Sequence, residues 1–360
     1  MNDDFTIKNT NYCKGIAIIL MIIHHLFWNV PGYGVTIGHI ALSQRIAVIG
    51  KVCVSIFLFL SGFGLYKSIK TEFSIKKFYC EKLYKLYINY IFIVITSIII
   101  SIVFFKEKYM NLIGKGFKEI ILIILNLTGF QYLIGYPGLN GAWWFVSVIL
   151  VLYILFPFLK TLVEKYKIKF VIIFFLISCF DIIQLENIKI LTIISWGFPF
   201  ILGVYTAFSN IFIKINQYIN KDKKYVKKSI LLILLIFSLI IKQILDSQSF
   251  IGIKFDYYLS FVIILSVYIF FENILISKKT ISFLGKKSSD IYYIHMFIST
   301  YYLANSIYNI NNVFFMIVSV IILSLLWSFS LDTIRKIIGW NNLIYRGSNR
   351  LLSYFCGDKI

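Results

Sequence analysis

The chain has 360 residues, 59% of them hydrophobic and only 14% charged, whereas a soluble domain needs about 25% charged residues to cover its surface. This excludes a soluble globular protein and points to a polytopic membrane protein. The formal net charge of +20 is then read as lysines gathered in cytoplasmic loops against anionic headgroups, with no nucleic acid implied.

Apolar stretches that could serve as spans lie at residues 15–30, 46–66, 87–105, 118–133, 143–160, 168–185, 190–209, 229–246, 257–276, 290–306 and 313–334. Crossing about 30 Å of hydrocarbon takes about 20 residues of helix, and none of the stretches alternates as a barrel strand would. The first has no small-residue cleavage site and is expected to be a retained span, not a signal peptide. Basic clusters follow 46–66 (Lys67, Lys70, Lys76, Lys77, Lys82, Lys85), 190–209 (Lys214, Lys221, Lys223, Lys224, Lys227, Lys228) and 257–276 (Lys278, Lys279, Lys286, Lys287), and another closes the chain (Arg335, Lys336, Arg346, Arg350). The positive-inside rule puts all four in the cytoplasm. Counted back from the tail, that works only if one stretch before residue 143 fails to cross. The weakest is 118–133, which decays into GYPGLNGAWW. The expected architecture is therefore all-α: one domain over residues 1–360, about ten transmembrane helices in the plasma membrane, residues 118–133 re-entrant or interfacial, and both termini cytoplasmic. Five cysteines without a Cys-x-x-Cys pair indicate neither a metal site nor a disulfide framework.

The first span reads KGIAIILMIIHHLFWN. At about 100° per residue, an offset of eleven returns to within about 20° of the starting face, and an offset of ten falls about 80° away. Lys14 and His25 therefore share a face, and His24 does not. With the N-terminus inside, Lys14 lies at the cytoplasmic surface and His25 about 16 Å deeper. Intramembrane ionisable groups are costly and read as functional; the alternative is a buried histidine above a snorkelling lysine.

Further along stand VSIFLFLSGF (54–63), EKLYKLYINY (81–90), GAWWFVSVILVLYILFPFL (141–159), FPFILGVY (198–205) and LGKKSSDIYYIHMF (284–297). With the Lys14–His25 pair, this ordered set resembles the acyltransferase 3 family of integral-membrane acyltransferases, whose first span carries a basic residue, ten intervening positions and a histidine. The chain departs from the family pattern in having Lys82 and Lys85 for arginines, Ile88 for a proline and Leu58 for a phenylalanine. Lysine meets phosphate as a point charge, not as a planar fork.

The resemblance implies an O-acetyltransferase in its stand-alone membrane form. Such an enzyme moves an acyl group, most often acetyl, from cytoplasmic acyl-CoA to a hydroxyl of a cell-surface polysaccharide or its lipid-linked precursor in the cell envelope. His25 would be the general base, and Lys14, Lys82 and Lys85 would hold the cofactor phosphates. His295 is either part of the cofactor vestibule or an interfacial histidine. Ser61 and Gly62 read as oxyanion donors or as a notch for close helix packing. Trp144 reads as an oxyanion donor or, with Trp143 and Trp196, as an interfacial belt residue. His39 reads as a surface residue, and no metal is implied. The rival reading is a transporter or flippase for acylated glycan or lipid, for which inverted repeats and paired broken helices would be expected; neither is visible.

Overall fold

The computed structural model describes residues 5–356 except 29, 31–32, 35, 38–39, 70–72, 109–116, 137, 180–189, 246–249 and 272–277. His39 and Lys70 lie outside the described residues. Among those described, six helical stretches are long and apolar enough to cross a membrane: Ile7–Phe27, Leu42–Lys67, Ile75–Phe104, Gly141–Tyr166, Ile251–Phe270 and Val313–Ile337. A seventh is added if Ile193–Phe208 and Ile211–Lys221, bent by 65°, form one span. The chain is an all-helical membrane protein, apart from a two-residue ladder pairing Thr36–Ile37 (β1) with Ile40–Ala41 (β2).

Length and composition alone thus support six or seven spans among the described residues where the sequence predicts ten, and two of the shortfalls have a physical cause. Helix Lys224–Ile244 is long enough at 21 residues but includes Lys227, Lys228 and Lys242. Lys242 is fully buried against Asp256, 2.8 Å away, a pairing that offsets the desolvation of both charges. The expected span at 168–185 is described only over helix Ile168–Cys179, its remainder lying outside the described residues. The expected span at 290–306 is divided into Ser288–Met296, a π-helical turn Phe297–Tyr302, and Ala304–Tyr308.

The functional elements are α1 (Ile7–Phe27), α2 (Leu42–Gly50), α3 (Cys53–Lys67), α4 (Ile75–Phe78) and α5 (Tyr84–Phe104), followed by α6 (Phe117–Thr128), α7 (Trp144–Tyr166), α8 (Ile168–Cys179) and α9 (Ile190–Phe208). Beyond them come α10 (Ile211–Lys221), α11 (Lys224–Ile244), α12 (Phe250–Phe270), α13 (Lys278–Lys286), α14 (Ser288–Met296), α15 (Ala304–Tyr308), α16 (Val313–Ile337) and α17 (Trp340–Cys356).

Helix α1 starts at a reciprocal cap. Asn9 Oδ1 accepts from the Thr6 backbone N–H at 2.9 Å, and the Thr6 hydroxyl accepts from the Asn9 N–H at 3.3 Å. It then lies directly on α13, where a Cβ on Gly15 would collide with the Ile281 carbonyl and one on Gly285 with the Asn11 carbonyl. Small residues at such a crossing let backbones touch, and here they set the depth of Lys14.

The course of the chain around residues 105–141 bears on the weak span. Phe105, just past α5, stacks on Tyr302 with ring centroids 4.5 Å apart, and the Gly141 N–H donates to the Tyr301 hydroxyl at 2.9 Å. The chain therefore leaves and re-enters the bundle at the same end. Between these points α6 has 12 described residues, Phe117–Thr128. Its buried Asn126 accepts from the Leu139 N–H at 3.0 Å, and the Asn126 carbonyl accepts from Tyr90 at 2.6 Å.

Candidate active site

Lys14 and His25 sit on the same side of α1, as helix periodicity requires, and both open onto cavities. Lys14 lines a vestibule of about 810 Å³ and a channel of about 370 Å³ behind it. His25 lines a third cavity of about 360 Å³. Vestibule and channel share Lys14, Leu65, Lys82, Leu86, Tyr153, Ser289 and Tyr293. The channel and the His25 cavity share Phe57, Phe145 and Tyr292. The three cavities thus adjoin in series from Lys14 to His25, the last two meeting at a neck of three aromatic rings, with Tyr292 5.2 Å from Phe145 and 6.3 Å from Phe57 between centroids. The Tyr292 hydroxyl donates to the Ala142 carbonyl, which fixes this wall of the neck.

The vestibule is strongly cationic. Lys82 comes from a π-helical turn, Tyr79–Leu83, between α4 and α5, and Lys85 from the first turn of α5. Lys286, Lys287, Arg335 and Lys336 complete the ring; in sequence these four had looked like ordinary positive-inside residues. Two carboxylates sort the cations. Arg335 pairs with Asp290 and reaches Asp332, and Lys287 pairs with Asp332. Among the described residues, none of Lys14, Lys82 and Lys85 is paired with a carboxylate. These uncompensated cations suit a polyanionic ligand. Asp332 inside the apolar 313–334 run and Asp290 at the head of another were the signals that could have revealed the network.

At the far end of the path, His25 has a different neighbour on each side. The His24 ring lies 5.3 Å away, and its Nδ1 is 2.8 Å from the Ala47 carbonyl, which ties it to α2. The His295 ring lies 5.0 Å away. His295 is fully buried and lines none of the three cavities. The fold places it beside His25, not among the vestibule cations where a cofactor-binding role would need it, and not at an interface.

Ser61 lines the channel, its hydroxyl 3.3 Å from that of Tyr153. Gly62 does not, because a Cβ there would strike the Phe200 carbonyl of α9; it occupies the packing notch. Trp144 faces the His25 cavity with Trp196, their centroids 5.6 Å apart. Trp143 is fully buried and donates to the Tyr293 carbonyl at 3.0 Å, and Trp196 is 5% exposed. Belt residues would be open to headgroups, so the belt reading of these two tryptophans is corrected. Among the described residues no cluster of three or more His, Cys, Asp or Glu is placed to hold a metal.

The arrangement offers charge neutralisation at one end, a narrow path, and an imidazole facing an aromatic cavity at the other. The model of one protein family, described as an acyltransferase domain (acyltransferase 3), matches residues 7–333. It covers nearly the whole chain, from the first residue of α1 into the last turns of α16. Neither the curated proteins nor the solved structures yield a match.

Proposed function

The chain belongs to this family of membrane acyltransferases, and we propose that it moves an acyl group, acetyl in the simplest case, from cytoplasmic acyl-CoA to a hydroxyl of a cell-surface glycan or its lipid-linked precursor. The observation that carries this reading is the series of adjoining cavities from the unpaired vestibule cations to His25. Acyl-CoA has the matching shape: a polyanionic head, a thin arm and a reactive thioester at its tip. Lys14, Lys82 and Lys85 bind the phosphates, the arm follows the channel past Ser61 and Tyr153, and the neck admits the thioester to the His25 cavity.

There His25 takes the proton from the acceptor hydroxyl as its oxygen attacks the thioester carbon. The tetrahedral oxyanion collapses with cleavage of the carbon–sulfur bond, and the departing thiolate recovers the proton from His25. The products are an ester and free CoA thiol. Trp144 lines this cavity, and its indole N–H is the donor we assign to the oxyanion. Trp196 and Tyr132, also in the cavity lining, give a sugar ring apolar faces to lie on.

The positive-inside rule sets the vestibule in the cytoplasm of a plasma-membrane protein, with both termini on that side. In the same reading α11 crosses beside α12, its charge matched by the Lys242–Asp256 pair, and α6 is re-entrant, which keeps the ten-span topology. Purified protein in lipid nanodiscs, given acyl-labelled acetyl-CoA and a glycan fraction of the envelope, should release free thiol in step with label entering the acceptor. Label transport without thiol release would instead make the chain a carrier.

A further inference from the structure

His295 is held in a way that a merely space-filling core residue does not need. Its Nδ1 lies 2.8 Å from the Tyr292 carbonyl and 3.3 Å from the Ile291 carbonyl. A carbonyl only accepts, so Nδ1 carries the proton and Nε2 presents a lone pair. That Nε2 is fully buried and has no hydrogen-bond partner. Buried acceptors of this kind are rare and call for an explanation. The local backbone shows how the ring is fixed. The helix widens into a π-helical turn at Phe297, two residues after His295, and such turns cluster at functional sites. The next carbonyl, that of Tyr293, accepts from Asn140 and Trp143, each at 3.0 Å.

The ring nearest His295 that can donate is His25, at 5.0 Å between centroids with 46° between planes. The Tyr292 ring is 6.1 Å away, and its hydroxyl is already committed to the Ala142 carbonyl. We propose that His295 is the positioning residue of the base: its Nε2, unpartnered as the two rings stand here, accepts a hydrogen bond from the proton-bearing nitrogen of His25 when the rings turn to meet, so that the other nitrogen of His25 faces the substrate cavity with its lone pair free. This rests on the reading of His25 as the base. It supplies the third group that a general base ordinarily requires to fix its tautomer, here a neutral imidazole in place of a carboxylate. His24 is the rival partner, since its ring is 5.3 Å from His25; its Nδ1 is engaged by α2, however, and it lines the cavity, so its other nitrogen is not stranded.

The chain has four histidines, which makes nitrogen-15 histidine NMR tractable on the full protein in nanodiscs. His25 should show one dominant tautomer with a hydrogen-bonded N–H. His295→Phe should convert it to a mixture, and His24→Phe should not. An unchanged His25 spectrum in His295→Phe, or the same change in His24→Phe, overturns the proposal. Turnover provides the second arm. His295→Gln keeps an acceptor oxygen near the Nε2 position, and His295→Asn keeps one only near Nδ1. The asparagine variant should lose about 10²-fold or more in kcat while the glutamine variant stays within about tenfold of the parent, the donor KM moving little in either. Equal losses in the two, or a donor KM that rises in step, overturn it. If the parent protein transfers no acyl group to any acceptor, the functional reading fails, and the NMR arm still decides the hydrogen bond.

Discussion

Arg335 grips Asp290 with both terminal nitrogens, Nη2 to Oδ1 and Nη1 to Oδ2, each at 2.8 Å. The pair joins the last turn of α16 to the first turn of α14, where a carboxylate also favours the helix N-terminus, five residues before His295. Ser328 adds a third bond to the same carboxylate at 3.0 Å. The side chains are 17% and 9% exposed, so solvent screens the pair somewhat. Asp290→Asn should cost about 2 kcal/mol, below the range for breaking a fully buried pair. Arg335→Lys, which keeps the charge and loses the fork, should cost about half as much. Thermal unfolding in detergent measures both.

Lys14, Lys82 and Lys85 should govern donor affinity more than turnover. A charge-assisted contact to phosphate contributes about 1.5–3 kcal/mol. Neutralising any one as glutamine should raise the apparent acyl-CoA Kd by about one to two orders of magnitude, with a smaller fall in kcat at saturating donor. Arginine at Lys82 or Lys85 should recover or exceed the original affinity. Titration of the purified variants with acetyl-CoA checks this; unchanged affinity would leave these lysines as topological anchors only.

The adjacent histidines should separate cleanly. His25→Ala should abolish transfer with the folded fraction preserved. His24→Ala gives up the bond to the Ala47 carbonyl and should cost about 1 kcal/mol of stability with only a moderate loss of rate. Initial rates paired with unfolding curves distinguish the two. Equal loss of activity in both would defeat the assignment of the base.

The aromatic neck should set the acyl length. Phe145→Ala opens the side of the neck that faces Tyr292, and should raise kcat/KM for butyryl-CoA relative to acetyl-CoA by about tenfold or more, the scale of discrimination expected for added methylenes. Competition between the two donors reads the ratio directly. No change would place the length limit elsewhere.

Single cysteines in a cysteine-free background should report sidedness. With the vestibule cytoplasmic, Tyr136→Cys should react with an impermeant thiol reagent on intact cells, and Lys223→Cys only after permeabilisation. The reverse pattern would invert the topology and put the cationic vestibule outside.

The sequence by itself determined the membrane setting, the helical class, the family motifs and the shared face of Lys14 and His25. These follow from local composition and from a 3.6-residue period that needs no tertiary information. The arithmetic of charge also requires one stretch before residue 143 not to cross, and 118–133 is the weakest of them. Only the tertiary structure decided that His295, 270 positions along the chain, stands beside His25, that Asp290 and Asp332 divide the vestibule cations into paired and unpaired sets, and that Phe57, Phe145 and Tyr292 form a neck. The physical reason lies in how helices choose neighbours in lipid. That choice depends on close backbone approach, as at Gly15 on Ile281 and Gly62 on Phe200, and on shape, with little hydrophobic driving force between helices. Such contacts leave no periodic trace in sequence. A lysine at a helix end reads the same whether it anchors topology or binds a phosphate, until its neighbours are known.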